Sequence, residues 1–386
     1  MFERSLTSCI QQLATKYPVV TLMGPRQSGK TTLVKLAFPN KPYVNMEDSD
    51  NRSLATLDPK SFMENYPNGA ILDEIQRTPN LLSYIQVQVD ESEKKGMFIL
   101  TGSHQAELHS AVSQSLAGRT SLLRLLPLSI QEMRNANIKD SLEQIILQGG
   151  YPRIYKERLP ILNAYSSYFQ TYVERDVRQI LQVKDILLFE RFIKLIASRV
   201  GQLVNYASLA LDVGVSAVTI REWLTVLEAT YIIARLEPYF ENFGKRLIKS
   251  PKIYFTDTGL LCYLLGIETI QQLIKDSLYG NIFENWVIVE LLKACYNQAK
   301  DPRLYFYRDV TGKEVDVLFQ QGSQLMPIEI KSSKTFSSNY LNGLKYFHEQ
   351  TPKKAKGGVV IYGGEKTQKV KDFQLFNAEN CFKLMQ

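Results

Sequence analysis

The sequence predicts an α/β protein with a parallel sheet at the N-terminal end, a largely helical middle and a second strand-rich region towards the C-terminus. Three observations carry this expectation. In the first third, the apolar runs "VVTLMG", "AILDEI" and "MFILTGS" are separated by helical patterns such as "KTTLVKLAF", the spacing of buried parallel strands joined by crossover helices. From about 130 to 200 the periodicity turns helical, as in "NAYSSYFQTYVERDVRQILQV" and "ILLFERFIKLIASRV". Strand patterns then return at 303–308, 314–320, 324–331 and 357–362, with one helix between the last two.

A chain of 386 residues exceeds what one core usually serves, which points to two or three domains. With 45% hydrophobic and 22% charged residues, the composition excludes a largely disordered chain. Cys9, Cys262, Cys295 and Cys381 lie far apart and make no CxxC or Cys/His cluster, against a zinc site or a disulfide framework. The start "MFERSLTSCIQQLATKYP" is amphipathic without a long apolar core, and no run approaches a membrane span, so a cytoplasmic protein is expected. A net charge of +7 permits a polyanionic partner without demanding one.

The first strand runs into "GPRQSGKT", which satisfies GxxxxGK[ST]: Gly24, Pro25, Arg26, Gln27, Ser28, Gly29, Lys30 and Thr31, with Thr32 continuing into a helix. Glycines let backbone N–H groups turn onto phosphates, Lys30 faces the terminal phosphates, and the Thr31 hydroxyl is placed to ligate Mg²⁺. ATP with Mg²⁺ is the expected cofactor. The strand "AILDEI" ends in Asp73, expected to hold the magnesium through water, and Glu74, expected to orient the attacking water. "FILTGS" adds Thr101 and Ser103 at the strand end where open parallel sheets bind ligands.

With "GPRQSGKTT", "LDEIQ" and "LTGS" followed in order by "SLAGR", "GGYPR", "TDTGLL" and "FENWVIVEL", the chain resembles the AAA+ ATPases. More closely it resembles their bacterial and archaeal family that ends in a domain of unknown function related to restriction-type nucleases. The resemblance implies an AAA+ core at 1–130, a helical lid at 131–200, a winged helix at 201–270 and a nuclease-like α/β domain at 271–386. It also implies a homo-oligomer able to close into a ring. Arg119 in "SLAGRTSLL" then matches an arginine finger acting on a neighbouring subunit, and Arg153 in "GGYPR" a second sensor acting in cis. Each arginine equally suits a helix end as a structural cap.

Within the middle region, "NYASLALDVGVSAVTIREWLTVLEAT" reads as two helices around a Val-Gly-Val turn, with "YIIARLEPY" and "KIYFTD" able to pair as a hairpin. Only Arg221 offers a base-reading cation on the second helix, where Val218, Trp223, Leu224 and Leu227 are expected in a core stripe. Lys245, Arg246, Lys249 and Lys252 gather on the presumed wing, a pattern for sequence-indifferent contact with DNA phosphates or for a solvated basic loop.

In "EVDVLFQQGSQLMPIEIKSSK", side chains alternate, so Glu314 and Asp316 share one strand face and Glu329 and Lys331 share one on the next. A hairpin brings Asp316 to Glu329 and Lys331, with Glu284 on the preceding helix as a further carboxylate. Two readings stand: a Mg²⁺ or Mn²⁺ site with Lys331 activating water, in the order that resembles the PD-(D/E)xK nucleases, or a salt-bridged hairpin.

Overall fold

The computed structural model describes residues 2–103, 115–172, 186–239 and 250–385. Strands β1 (Val19–Met23), β2 (Tyr43–Asn45), β3 (Ile71–Asp73), β4 (Phe98–Gly102) and β5 (Thr120–Arg124) form one sheet in the order β2-β3-β4-β1-β5. All four pairings are parallel. Because side chains alternate along a strand, Val19 and Met23 enter one hydrophobic cluster while Val20 and Leu22 enter another. Helices Thr7–Ala14 and Lys30–Ala37 cover the second face, and Pro59–Glu64 and Leu81–Asp90 cover the first. Both faces of the sheet are therefore buried, which explains why its strands are continuously apolar.

The remaining strands are β6 (Ile233–Pro238), β7 (Lys252–Phe255), β8 (Leu304–Arg308), β9 (Glu314–Gln321), β10 (Gln324–Lys331), β11 (Val359–Tyr362), β12 (Gln368–Val370) and β13 (Phe373–Asn377). They form a mixed sheet ordered β12-β13-β11-β10-β9-β8-β6-β7. Its edge is informative. The β6–β7 hairpin of the middle region pairs in parallel with β8, Glu237 opposite Tyr305, and so extends the C-terminal sheet. A single hydrophobic cluster accordingly runs from Leu128 to Met385, uniting the helical middle with the C-terminal region.

Helices Tyr206–Val213 and Ala217–Ala229 meet at Gly214, with Ser216 capping the second through Thr219 N. The buried stripe of that second helix is Ile220, Trp223, Leu224 and Leu227, while Val218 is 61% exposed, contrary to expectation. The spacing i, i+3, i+4, i+7 starts at Ile220, and a residue two positions earlier falls on the far side of the helix. Arg221 stacks over the Tyr206 ring at 5.0 Å. Among the described residues, no helix is long and apolar enough to cross a membrane.

Candidate functional site

The "GPRQSGKT" loop leaves the C-terminal end of β1 and enters the helix Lys30–Ala37 through Gly29, whose φ of +94° is a left-handed conformation that glycine adopts without steric cost. No side chain caps this helix start, so its N–H groups stay available to an anion. Lys30, 5% exposed, folds its ammonium back onto the carbonyls of Gly24 and Pro25, each at 2.9 Å. Burial pushes the Lys30 pKa down, opposed by Glu74 and Asp73. The Ser28 hydroxyl is buried with no hydrogen-bond partner, an orphaned polar atom inside the loop. Such a cradle fits phosphate oxygens.

Across the cleft, Asp73 closes β3 and gathers three hydroxyls. Thr31 donates to Asp73 Oδ2 at 2.8 Å and Tyr43 at 2.7 Å, while Thr101 donates to Oδ1. Glu74 takes φ +57°, uncommon outside glycine, which turns its side chain from the strand direction. Its carboxylate accepts from Gln76 Nε2 at 2.5 Å and Ser103 Oγ at 3.0 Å, and its N–H donates to Thr101 Oγ1. Burial alone raises the Glu74 pKa, but Lys30, Gln76 and Ser103 outweigh it and hold the carboxyl below its ordinary value. The loop, Thr31, Glu74 and Arg153 line a cleft of about 440 Å³, to which Thr32 also contributes.

Thus the structure brings together Lys30, Thr31, Asp73, Glu74, Thr101 and Ser103 from three parallel strand ends. Arg153, on the Pro152–Glu157 helix, reaches the cleft rim and pairs with Glu157 at 2.9 Å. Arg119 lies elsewhere: its carbonyl accepts from Val19 N at the start of β1, so it sits at the opposite end of the sheet from the loop. There it grips Asp90 through Nε at 2.5 Å and Nη2 at 2.8 Å.

Three contributors escaped sequence reasoning. Arg4, 7% exposed, donates to Ser28 O at 2.6 Å, Leu126 O at 2.7 Å and Glu132 at 3.0 Å, bracing the loop from behind. Tyr43 and Gln76 hold the two acidic residues. None carries a local motif, although Gln76 is the last residue of "LDEIQ". Arg4→Ala is expected to weaken nucleotide binding about tenfold and to cost roughly 3 kcal/mol of stability, since it leaves the buried Glu132 carboxylate without its cation; nucleotide titration and urea unfolding check both.

In the C-terminal region, Asp316 on β9 and Glu329 on β10 converge on Lys331, whose ammonium lies 3.1 Å from Asp316 Oδ2 and 2.7 Å from Glu329 Oε2. Asp316 also accepts from Ile330 N at 2.7 Å. Burial and the neighbouring Asp316 push the Glu329 carboxyl up to about 8. For Asp316 burial acts upward too, yet Lys331 and Lys252 prevail and hold it below the carboxylate range. Gly343 makes this packing possible, because a side chain there would land on the Glu329 carboxylate.

Glu284 does not join as a third ligand. It accepts from the Tyr254 hydroxyl at 2.5 Å and from Lys252 at 3.3 Å. Among the described residues, no three His, Cys, Asp or Glu side chains are grouped to hold a metal ion. Asp316 and Glu329, the two carboxylates expected to hold Mg²⁺ or Mn²⁺, do come together, paired with Lys331, whereas Glu284 is held by Lys252 and Tyr254. Lys252 is a second correction: expected on an exposed wing, it is 3% exposed and pairs with both Glu284 and Glu314. Lys245, Arg246 and Lys249 lie outside the described residues.

Residues 16–134 match the family described as AAA domain, 139–271 a domain of unknown function (DUF8612) and 279–381 another (DUF4143). Sheet, loop and family match together define an AAA-type P-loop ATPase domain at the N-terminal end. The Mycobacterium tuberculosis protein Rv2008c is 32% identical over 336 residues, covering 86% of this chain and 74% of the relative. A Haemophilus influenzae protein is 24% identical over 365 residues, covering 85% and 86%. The chain belongs to the family of Rv2008c. Among solved structures, the Walker-type ATPase paby2304 of Pyrococcus abyssi aligns with a TM-score of 0.45 and 16% identity over 68% of this chain and 96% of its own.

Proposed function

We propose that the protein is a cytoplasmic ATP hydrolase of AAA+ type that works on DNA as a homo-oligomer. The carrying observation is the convergence of Lys30, Thr31, Asp73 and Glu74 on one cleft at the C-terminal edge of a parallel sheet. Thr31 and Asp73 would hold Mg²⁺, which supplies charge neutralisation to the phosphates. Glu74 orients water, and Thr101 and Ser103 position the two carboxylates. In this reading the helices following residue 130 serve as a lid that carries Arg153 to the cleft, and Arg119 reaches the site of a neighbouring subunit. The helix pair with its hairpin acts as a winged helix, and the C-terminal domain is a nuclease fold used for binding. Contact with DNA is electrostatic and indifferent to sequence, in keeping with the +7 charge.

A second reading is a nucleotide-driven switch for a protein partner. It is favoured by the internal pairing of Lys252 and Lys331 and by the stacking of Arg221 on Tyr206, which leave these cations engaged within the fold. Steady-state ATP hydrolysis with and without mixed-sequence DNA separates the two. Stimulation that fades as salt rises is expected for the first; a rate unmoved by DNA at any salt selects the second.

A further inference from the structure

No residue of "TDTGLL" lines the nucleotide cleft, yet the structure ties this stretch to one wall of it. Asp257 Oδ2 accepts from Gly150 N of "GGYPR" at 2.7 Å, across 107 residues of chain. Its Oδ1 accepts from the Tyr165 hydroxyl at 2.6 Å and from Leu260 N at 3.0 Å, the latter bond capping the helix Thr258–Leu264. The Asp257 side chain is buried. Gly150 O accepts from Leu128 N at 2.7 Å, and Gly149 O from the Tyr155 hydroxyl at 2.6 Å, so both glycines are held from several sides. A side chain on Gly149 would collide with the Asp257 carboxylate, and one on Gly259 with the Tyr165 ring; both motifs need glycine at this contact. Just beyond Gly150 the chain reaches the cleft. Pro152 and Arg153 line it, and the Pro152 ring stands beside Gly29 at the entry to the phosphate-loop helix.

We propose that Asp257 is a positioning residue for the nucleotide cleft: it fixes Gly150, and through it the wall formed by Pro152 and Arg153, against the phosphate loop. This inference rests on the ATP-hydrolase reading. Only Tyr151 and Pro152 separate Gly150 from Arg153, and the proline ring locks one of the intervening torsions. A shift at Gly150 therefore carries to the Arg153 backbone. The bond from Gly150 N also resists slippage, because a buried N–H without an acceptor is costly. At its other oxygen the same carboxylate starts the helix Thr258–Leu264, whose Leu260, Leu261 and Leu264 belong to the hydrophobic cluster that runs to Met385. The cleft wall and that helix thus share one anchor.

Asp257→Ser keeps an oxygen able to cap Leu260 N but is too short to reach Gly150 N. In calorimetric titration of the full chain, this variant is expected to bind a non-hydrolysable ATP analogue about tenfold more weakly. Leu344→Ala, which opens a cavity in a separate hydrophobic cluster, should lower the urea midpoint and leave affinity within about twofold. Equal losses of affinity in the two variants, or none in Asp257→Ser, would overturn the proposal. Arg153→Ala should itself weaken binding, and the double variant with Asp257→Ser should lose much less than the product of the two losses, since one residue acts through the other; the full product would overturn that route. The wild type offers a test that needs no variant. Hydrogen exchange read by mass spectrometry should show the analogue protecting residues 149–153 and, through the shared carboxylate, Thr258–Leu264. Protection of the first segment without the second would overturn the link. If the wild type does not bind the analogue, or Lys30→Ala binds it normally, the ATP reading itself fails and this inference with it; with both as expected, an unchanged Asp257→Ser affinity removes this inference alone.

Discussion

Glu74→Gln is expected to slow ATP hydrolysis about a hundredfold or more while leaving ATP affinity within about twofold. The amide keeps the shape and can still meet Gln76 and Ser103, but it no longer attracts a proton from water. Lys30→Ala should behave in the opposite manner. Lys30 is the buried ammonium that rests on the carbonyls of Gly24 and Pro25 and is free to swing onto phosphates, so its loss should first weaken binding. The check is a phosphate-release assay alongside titration with ATP. Equal ATP affinity in wild type and Lys30→Ala would remove the assignment.

The largest effect on stability is expected at Lys252. Its ammonium is buried between Glu284 and Glu314 and joins the β6–β7 hairpin to the helix Tyr279–Tyr296 and to β9. Lys252→Met keeps the aliphatic bulk and removes the charge, leaving two carboxylates in a site from which water is mostly excluded. A loss of about 3–5 kcal/mol follows from breaking one side of a buried ion pair. Urea unfolding measures it, and combining Lys252→Met with Glu284→Gln should return part of the loss because it removes one stranded charge. Unchanged stability of Lys252→Met would mean that the cluster draws in water and contributes little.

Some of this molecule is written in short stretches of chain. The phosphate loop is legible because its chemistry is local: Gly24 to Thr31 is one loop and one helix start, and backbone conformation needs no distant partner. The same holds for Asp73 and Glu74 at the end of a strand. Asp316 meets Glu329 and Lys331 across a hairpin whose two-residue tip and alternation set the register, so their convergence also follows from the sequence. The AAA domain match at 16–134 falls on the most motif-rich part of the chain.

What only the tertiary structure decided involves partners far apart in sequence. Lys252 reads as a wing cation by composition, yet it is neutralised by Glu284 and Glu314, residues that sheet pairing of β6 with β8 brings beside it. Arg4 meets Ser28, Leu126 and Glu132, and Tyr43 meets Asp73, through strand order and layer packing that no periodicity reveals. Parallel strands likewise set Arg119 at the end of the sheet opposite its own chain's loop, where it meets Asp90. The physical reason is the same in each case. Local sequence determines backbone conformation and which face of an element is apolar, whereas the fate of a charge depends on which other charges folding packs against it, and that is a property of the assembled sheets.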